Sequence, residues 1–400
     1  MGRKVAEKKL AMRTNMIQRV AIIGGHIQAL GLARQVAKKG VEVVLLVESA
    51  WSVARFSNCV TRTYVYHTKA ELLDLITQMQ LPNAATLLFP TNDEAVEILT
   101  EHYSEYQSKF ALGVPNPEVV NLFNNKRNAY QFATANGIPA PACWYPNTME
   151  DVEQLSKELP YPVVVKPAIM YSFHSTFGKK AFRCDSAEEL IQIFQRIDTA
   201  NYPIDSILIQ EFLSGGPKYL YSYGVFAAEG QAVVSLIANR IRQNPMDFGN
   251  STTFAVTCDI DAIKQQSEAL LQQVKYFGLG EVEWMYDPQT GEYKFLEINT
   301  RAWKWHTICN QLGHSFIEAM IDYYNGVEVS HTHYSGQAAW VERLTDWTVI
   351  CKEVLKGRMK LSEAYRTYQQ TKENAVWSWR DPMPGVMYIL MSPVLYVKRF

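Results

Sequence analysis

The 400-residue sequence predicts a mixed α/β and α+β chain. A parallel-sheet domain opens it, a small α+β lobe follows, and a larger strand-rich lobe comes next. Three observations carry this. Arg19–Gly25, Ile27–Lys39 and Val41–Val47 form a strand, a helix and a second strand in succession, which implies parallel pairing under covering helices. Residues 116–205 then mix short apolar strands with amphipathic helices. Finally, two apolar strands, Gly280–Tyr286 and Phe295–Arg301, flank Asp287-Pro288-Gln289-Thr290-Gly291, a turn with early Pro and late Gly.

The elements follow in order. Arg19–Ile23 is a buried strand ending in Gly24-Gly25. Apolar spacing at Ile27, Leu30, Ala33, Val36 and Ala37 gives a helix that Gly40 stops. Glu71–Met79 is a helix, Ala85–Phe89 a strand, and Pro90–Glu94 caps the helix after it. The first domain spans residues 18–115. The small lobe, 116–205, opens with a helix from Asn125-Lys126-Arg127 to Ala135. It continues with the buried strand Tyr161–Pro167 and an amphipathic helix Ser186–Arg196. The strand Ile207–Leu213 enters the third block, 206–330, which contains the hairpin. Residues 331–400 form a C-terminal extension with an apolar end, expected to pack on the core, with docking to a membrane surface or a partner as the alternative for residues 385–400.

Composition excludes several classes. A net charge of -1 gives no global case for nucleic acid or an anionic surface as partner. The six cysteines are scattered, with no C-x-x-C or Cys/His cluster, which argues against a zinc site or a disulfide framework and for reduced thiols in the cytoplasm. The first 17 residues are basic and lack the apolar core of a secretory signal. No stretch has the length of an integral membrane span, and Ser392-Pro393 interrupts the nearest candidate, Val386–Val397.

The chemistry concentrates in a few segments. Alternation along the hairpin puts Glu281 and Glu283 on one face, and Glu297 and Asn299 on one face. Carboxylates on an apolar sheet are costly unless paired or bound to a cation, and hard oxygen ligands at this density suit Mg²⁺ with nucleotide phosphates. A solvent-facing polar hairpin is the competing interpretation. Lys166 ends the strand Val163-Val164-Val165 and is enclosed by Pro167, so its ammonium needs an anion, for which a phosphate is natural. Lys126 opens a helix forty residues earlier. Residues 171–180 are either a cover over a triphosphate, with Lys179 or Lys180, or an ordinary polar hairpin loop. Gln210-Glu211-Phe212-Leu213 leads to Gly215-Gly216. Its backbone could meet an adenine edge, and Glu211 or Lys218 a ribose, or it is a plain core strand. Arg240 and Arg242, placed on one strand face, suit a carboxylate or phosphate, or are a solvated edge. Trp303-Lys304-Trp305-His306 is either a pocket wall or core, and His331 and His333 are structural or surface residues. Gly24-Gly25 does not fit G-x-G-x-x-G and is a packing turn that could face a substrate cleft at the strand carboxyl ends, and Glu48, ending the next strand, could contact a ribose.

Taken in order, Lys126, Val163–Pro167, Gln210–Leu213, Glu283 and Glu297-Ile298-Asn299-Thr300-Arg301 resemble the ATP-grasp superfamily, over residues 18–325. Gly278–Trp284 with its hairpin resembles the carbamoyl-phosphate-synthetase-like branch. Arg240–Gln243 with Asp247-Phe248-Gly249 is similar to carboxylate–amine ligases of the D-aspartate-ligase kind. The resemblance implies a Rossmann-like N-terminal domain, a small lobe and a C-terminal lobe with antiparallel sheet. It implies ATP and Mg²⁺ (or Mn²⁺) as cofactors. Lys126, Lys166 and Lys179 would meet phosphates, and Gln210, Glu211, Phe212, Leu213 and Lys218 the nucleoside. Glu283, Glu297 and Asn299 would hold the metal. Arg301 with Arg240 or Arg242 would orient a carboxylate and the acyl phosphate formed from it, which an amine then attacks, releasing ADP and phosphate. Small-molecule acid and amine partners follow, and a homodimer is compatible. A carboxylase or phosphoryl-transfer enzyme on the same scaffold, or a nucleotide-binding regulatory module, are the alternatives. One departure stands out: residues 171–180 hold a single glycine and two phenylalanines, where the family's lid is glycine-rich.

Overall fold

The computed structural model describes residues 16–81, 84–169, 171–246, 249, 251–370 and 373–399. These fall into two compact units. One holds residues up to 117, 216–281 and 299 onward; the other holds 118–215 and 282–298.

The first sheet contains β1 (Ile17–Ile23), β2 (Glu42–Val47), β3 (Arg62–Val65), β4 (Ala85–Pro90) and β5 (Ala111–Leu112), in the order β3-β2-β1-β4-β5. Every pairing in it is parallel. The crossover helix Ile27–Lys38 ends before Gly40, whose φ of 69° closes the helix in the left-handed region. Gly24 has a φ of 113°, and a Cβ there would lie 2.2 Å from Thr91 Oγ1. The glycine turn is therefore demanded by backbone and packing. Thr68 and Asn92 cap the helices Lys69–Gln78 and Asp93–Glu101 with their side-chain oxygens.

The second unit is built on β6 (Cys143–Trp144), β7 (Val163–Pro167), β8 (Phe182–Cys184) and β9 (Ile207–Glu211), in the order β6-β9-β7-β8 and antiparallel throughout. Val163, Val165, Phe182, Leu190, Phe194 and Ile209 form its core. Residues 171–177 are a helix rather than the polar hairpin loop offered as one interpretation. The reason is visible in the spacing: Phe173 and Phe177 are one turn apart and both enter that core.

The remaining strands are β10 (Leu220–Ala228), β11 (Gln231–Asn244), β12 (Ser251–Cys258), β13 (Gly278–Asp287), β14 (Glu292–Asn299), β15 (Thr332–Tyr334), β16 (Ala339–Val341) and β17 (Glu373–Asn374). The first unit's sheet runs β13-β10-β11-β12-β16-β17, with β15 beside β11. β14 is the hydrogen-bonded neighbour of β13, and residues 282–298, the greater part of both strands with their turn, belong to the second unit. The hairpin turn is as the sequence predicts. Gly291 N–H donates to the Asp287 carbonyl at 2.8 Å, and Gly291 takes a φ of 76°.

The C-terminal extension packs on the core of its unit, with Tyr388 and Met391 buried in it. Asp381 fixes the approach. Its carboxylate accepts from Arg34 at 2.9 Å, from the Ser57 hydroxyl at 2.7 Å and from the Asn58 N–H at 2.9 Å.

Candidate functional site

In the second unit, Asn125 caps the helix Lys126–Ala135 by accepting from the N–H groups of Arg127 and Asn128. This fixes Lys126 in the first turn, where its N–H donates to the Ala168 carbonyl at 2.9 Å. Lys126 Nζ donates to Glu297 Oε2 on β14. One turn on, Tyr130 is fully buried, and its hydroxyl accepts from Lys166 Nζ at 2.9 Å. The same ammonium lies 5.0 Å from the Tyr130 ring centroid.

Lys166 therefore has a neutral phenol as its hydrogen-bond acceptor and a second cation nearby. Desolvation, then repulsion from Lys126, pushes its pKa down to about 8 against the weaker pull of Cys143 and Glu297. Burial also raises the Tyr130 phenol well above its ordinary range, assisted by the charges of Glu297 and Glu283. Both carboxylates thus act on Tyr130, and Glu297 acts on Lys166 as well. Cys143, on β6, has its thiol pushed up to about 12 by burial.

The predicted hinge lies on β9 and the residues after it. Gln210 is buried, and its Oε1 has no hydrogen-bond partner among the described residues. Glu211 Oε1 accepts from Lys294 Nζ at 2.6 Å and from the Ala142 N–H at 3.0 Å. Lys294 also pairs with Asp287 at 3.0 Å. Burial opposes the Lys294 charge, but Glu211 and Asp287 outweigh it and hold its pKa above the ordinary value. Phe212 donates its N–H to Pro162 and carries the Arg183 guanidinium 4.3 Å above its ring; Leu213 is buried. Lys179 is exposed, its ammonium 5.5 Å from the Phe182 ring centroid.

The other predicted residues lie in the first unit. Asn299 donates to Glu281 Oε2 at 3.0 Å, and Trp305 Nε1 donates to Glu281 Oε1 at 3.0 Å. Glu281 is thus a buried acceptor that orients the amide. Arg301 reaches Asp93, with Nε to Oδ1 at 2.6 Å. Arg242 is fully buried in a bidentate pair with Asp346, both contacts at 2.8 Å. Thr253 and Tyr368 also donate to Asp346. Register shifts on either side of Arg242 break the simple alternation that would set Arg240 and Arg242 on one face. Arg240 is buried. Lys218 lies in a short 3-10 turn, and its carbonyl accepts from Asn239. Trp303 and Trp305 are core residues, each 1% exposed. Glu48 accepts from the Tyr66 hydroxyl at 3.2 Å, and His333 Nδ1 meets Ser235 Oγ at 2.8 Å. Asp247 and Phe248 lie outside the described residues.

Sequence reasoning missed Tyr130, Lys294, Asp93 and Asp346. Tyr130 was legible as the aromatic one turn after Lys126. The others depend on long-range pairing that spacing does not encode. A cavity of about 550 Å³, lined by Gln18, Lys39, Glu42, Ile321 and Asn325 among others, contains none of the predicted residues. Among the described residues, no three His, Cys, Asp or Glu side chains gather as a metal cluster.

Residues 121–331 match the family model "Carbamoyl-phosphate synthase L chain, ATP binding domain". D-aspartate ligase of Enterococcus faecium is 27% identical over 228 residues, 54% of this chain and 53% of that protein. The carbamoyl phosphate synthase large chain of Methanothermobacter thermautotrophicus is 23% identical over 315 residues, 72% of this chain and 28% of that one. The chain spans about half the length, or less, of these curated relatives. N5-carboxyaminoimidazole synthetase from Staphylococcus aureus superposes with a TM-score of 0.62 at 14% identity, covering 86% of this chain and 87% of that one. The biotin carboxylase domain of Hydrogenobacter thermophilus 2-oxoglutarate carboxylase, solved with MgADP, ADP and bicarbonate, gives 0.64 at 15% identity, covering 81% and 74%. With the family match spanning more than half of its residues, the chain belongs to the ATP-grasp family, through the ATP-binding domain that residues 121–331 match.

Proposed function

We propose that this chain is an ATP-dependent ligase that joins a carboxylate to an amine through an acyl phosphate, releasing ADP and phosphate. The observation that carries the proposal is Lys166. It is an ammonium in a desolvated setting, hydrogen-bonded to a neutral phenol and destabilised by a second lysine. That arrangement is poor for an isolated protein and good for a polyphosphate, which would neutralise Lys126 and Lys166 together. The buried, unsatisfied Gln210 Oε1 supports a nucleoside edge on β9, because the amide can accept from an exocyclic amine.

The donor set also fits a hard divalent cation. Glu283 and Glu297 supply carboxylate oxygens, and Asn299 an amide held by Glu281. These would hold Mg²⁺, which when bound supplies charge neutralisation to the phosphates. In this reading Lys126 exchanges Glu297 for phosphate. Phosphoryl transfer needs little beyond positioning and neutralised charge, so a site of cations and carboxylates suffices. Arg301 orients the acid, and Arg240 rather than Arg242 assists it, because Asp346 already occupies the Arg242 fork. Lys179, exposed beside Phe182, and Lys218 are assigned supporting contacts with the nucleotide. Six free cysteines support a reducing, cytoplasmic setting.

A pairwise screen of acids and amines for ADP release tests this. The expected result is release only with a matched pair. Release of AMP and pyrophosphate, or release that needs bicarbonate alone, would refute it.

A further inference from the structure

The helix Met383–Arg399 buries one face through Pro384, Tyr388 and Met391. Among its described side chains, the exposed ones are all apolar. Met383 is 50% exposed, Val386 38%, Ile389 56% and Leu390 66%. Positions 383, 386 and 390 follow helical spacing, so these side chains form one ridge. Between Asp381 and Lys398 the sequence has no charged residue. The 3-10 turn Val53–Phe56 packs against this helix. Two exposed tryptophans, Trp51 and Trp379, and two exposed arginines, Arg55 and Arg380, lie in or next to that turn and in the segment leading into the helix. Over residues 49–61 and 376–400 the sole acid is Asp381, which is buried and neutralised by Arg34. The patch is therefore apolar at its centre, aromatic and basic at its rim.

We propose that this face docks in the plane of an anionic lipid surface. An in-plane helix needs an apolar face, interfacial tryptophans and basic flanks, and all three are present. The charge complementarity favours lipid over a second copy of the chain, because two copies meeting at this patch would bring like-charged arginine rims together. The Asp381 knot and the buried Tyr388 hold the helix along the body, so docking needs no unfolding. The anionic cytoplasmic leaflet supplies such a surface.

Co-sedimentation of the full chain with phosphatidylcholine vesicles, and with vesicles of about one third phosphatidylserine, tests the assignment. Binding is expected only to the anionic vesicles and should weaken with salt. Removing Arg55 or Arg380 should lower the partition coefficient roughly fivefold each. The double change Ile389→Glu and Leu390→Glu should abolish binding while the thermal transition is kept, since both side chains are exposed. Absence of binding to either vesicle would overturn the proposal. So would equal binding to both, or a dimer in solution that the same double change dissociates while vesicles bind nothing.

Discussion

Lys166 gives the sharpest handle on the nucleotide site. In the free protein, burial and Lys126 lower its pKa from 10.5 to about 8. A bound polyphosphate supplies the missing anion and returns the pKa towards its ordinary value. The ammonium is then lost from the free protein above about pH 8 but kept in the complex, so affinity is full below that pH and falls above it. With these two pKa values, the dissociation constant should rise about tenfold from about pH 7 to about pH 9, or about 1.4 kcal/mol. Near pH 8, binding should take up about half a proton per nucleotide. Part of the Lys166 side chain touches solvent, so screening could reduce the change to about threefold. Calorimetric titration with MgADP in buffers of different ionisation enthalpy measures both quantities. Lys166→Arg, whose charge does not titrate, should remove the slope and so correct for every other group. A slope that survives in Lys166→Arg, or its absence in the parent protein, would refute the assignment. Stability has the opposite dependence. The unfolded chain holds the Lys166 proton up to 10.5, so between about pH 8 and that value the protein should become more stable as pH rises.

Five further substitutions have outcomes that follow from the geometry. Glu297→Gln should cut metal-dependent ADP release by at least about a hundredfold, read by coupled assay across a magnesium titration. Lys294→Met leaves Glu211 and Asp287 partly buried without their shared cation; it should cost about 3 kcal/mol in urea unfolding and raise the KM for nucleotide. Arg242→Met should destabilise the fold by about 3–5 kcal/mol, since it strands Asp346, yet spare turnover in the folded fraction; Arg240→Met should impair turnover more than stability. Arg301→Ala should raise the KM for the acid far more than that for nucleotide, seen by varying each substrate separately.

Much of this was legible in the sequence, and for physical reasons. The β-α-β start, the helix Lys126–Ala135 and the hairpin turn are local features, set by periodicity, caps and glycine conformations. The pairing of Lys126 with Glu297 and of Lys166 with Tyr130 was not, because each joins residues far apart in sequence. Arg242 shows the limit of motif reasoning. Strand alternation suggested a ligand pair, but the register shifts and Asp346, over a hundred residues downstream, make Arg242 part of a buried ion pair. The two phenylalanines that made residues 171–180 an unusual lid are explained by the core they fill.

The central claim is that a carboxylate is phosphorylated by ATP before an amine attacks it. Supplying the acid with heavy-oxygen-labelled carboxylate, together with MgATP and the matched amine, tests this most directly. The account predicts that one labelled oxygen appears in the released phosphate, in step with ADP and the amide product. Product formed with unlabelled phosphate, or with AMP and pyrophosphate, would contradict it.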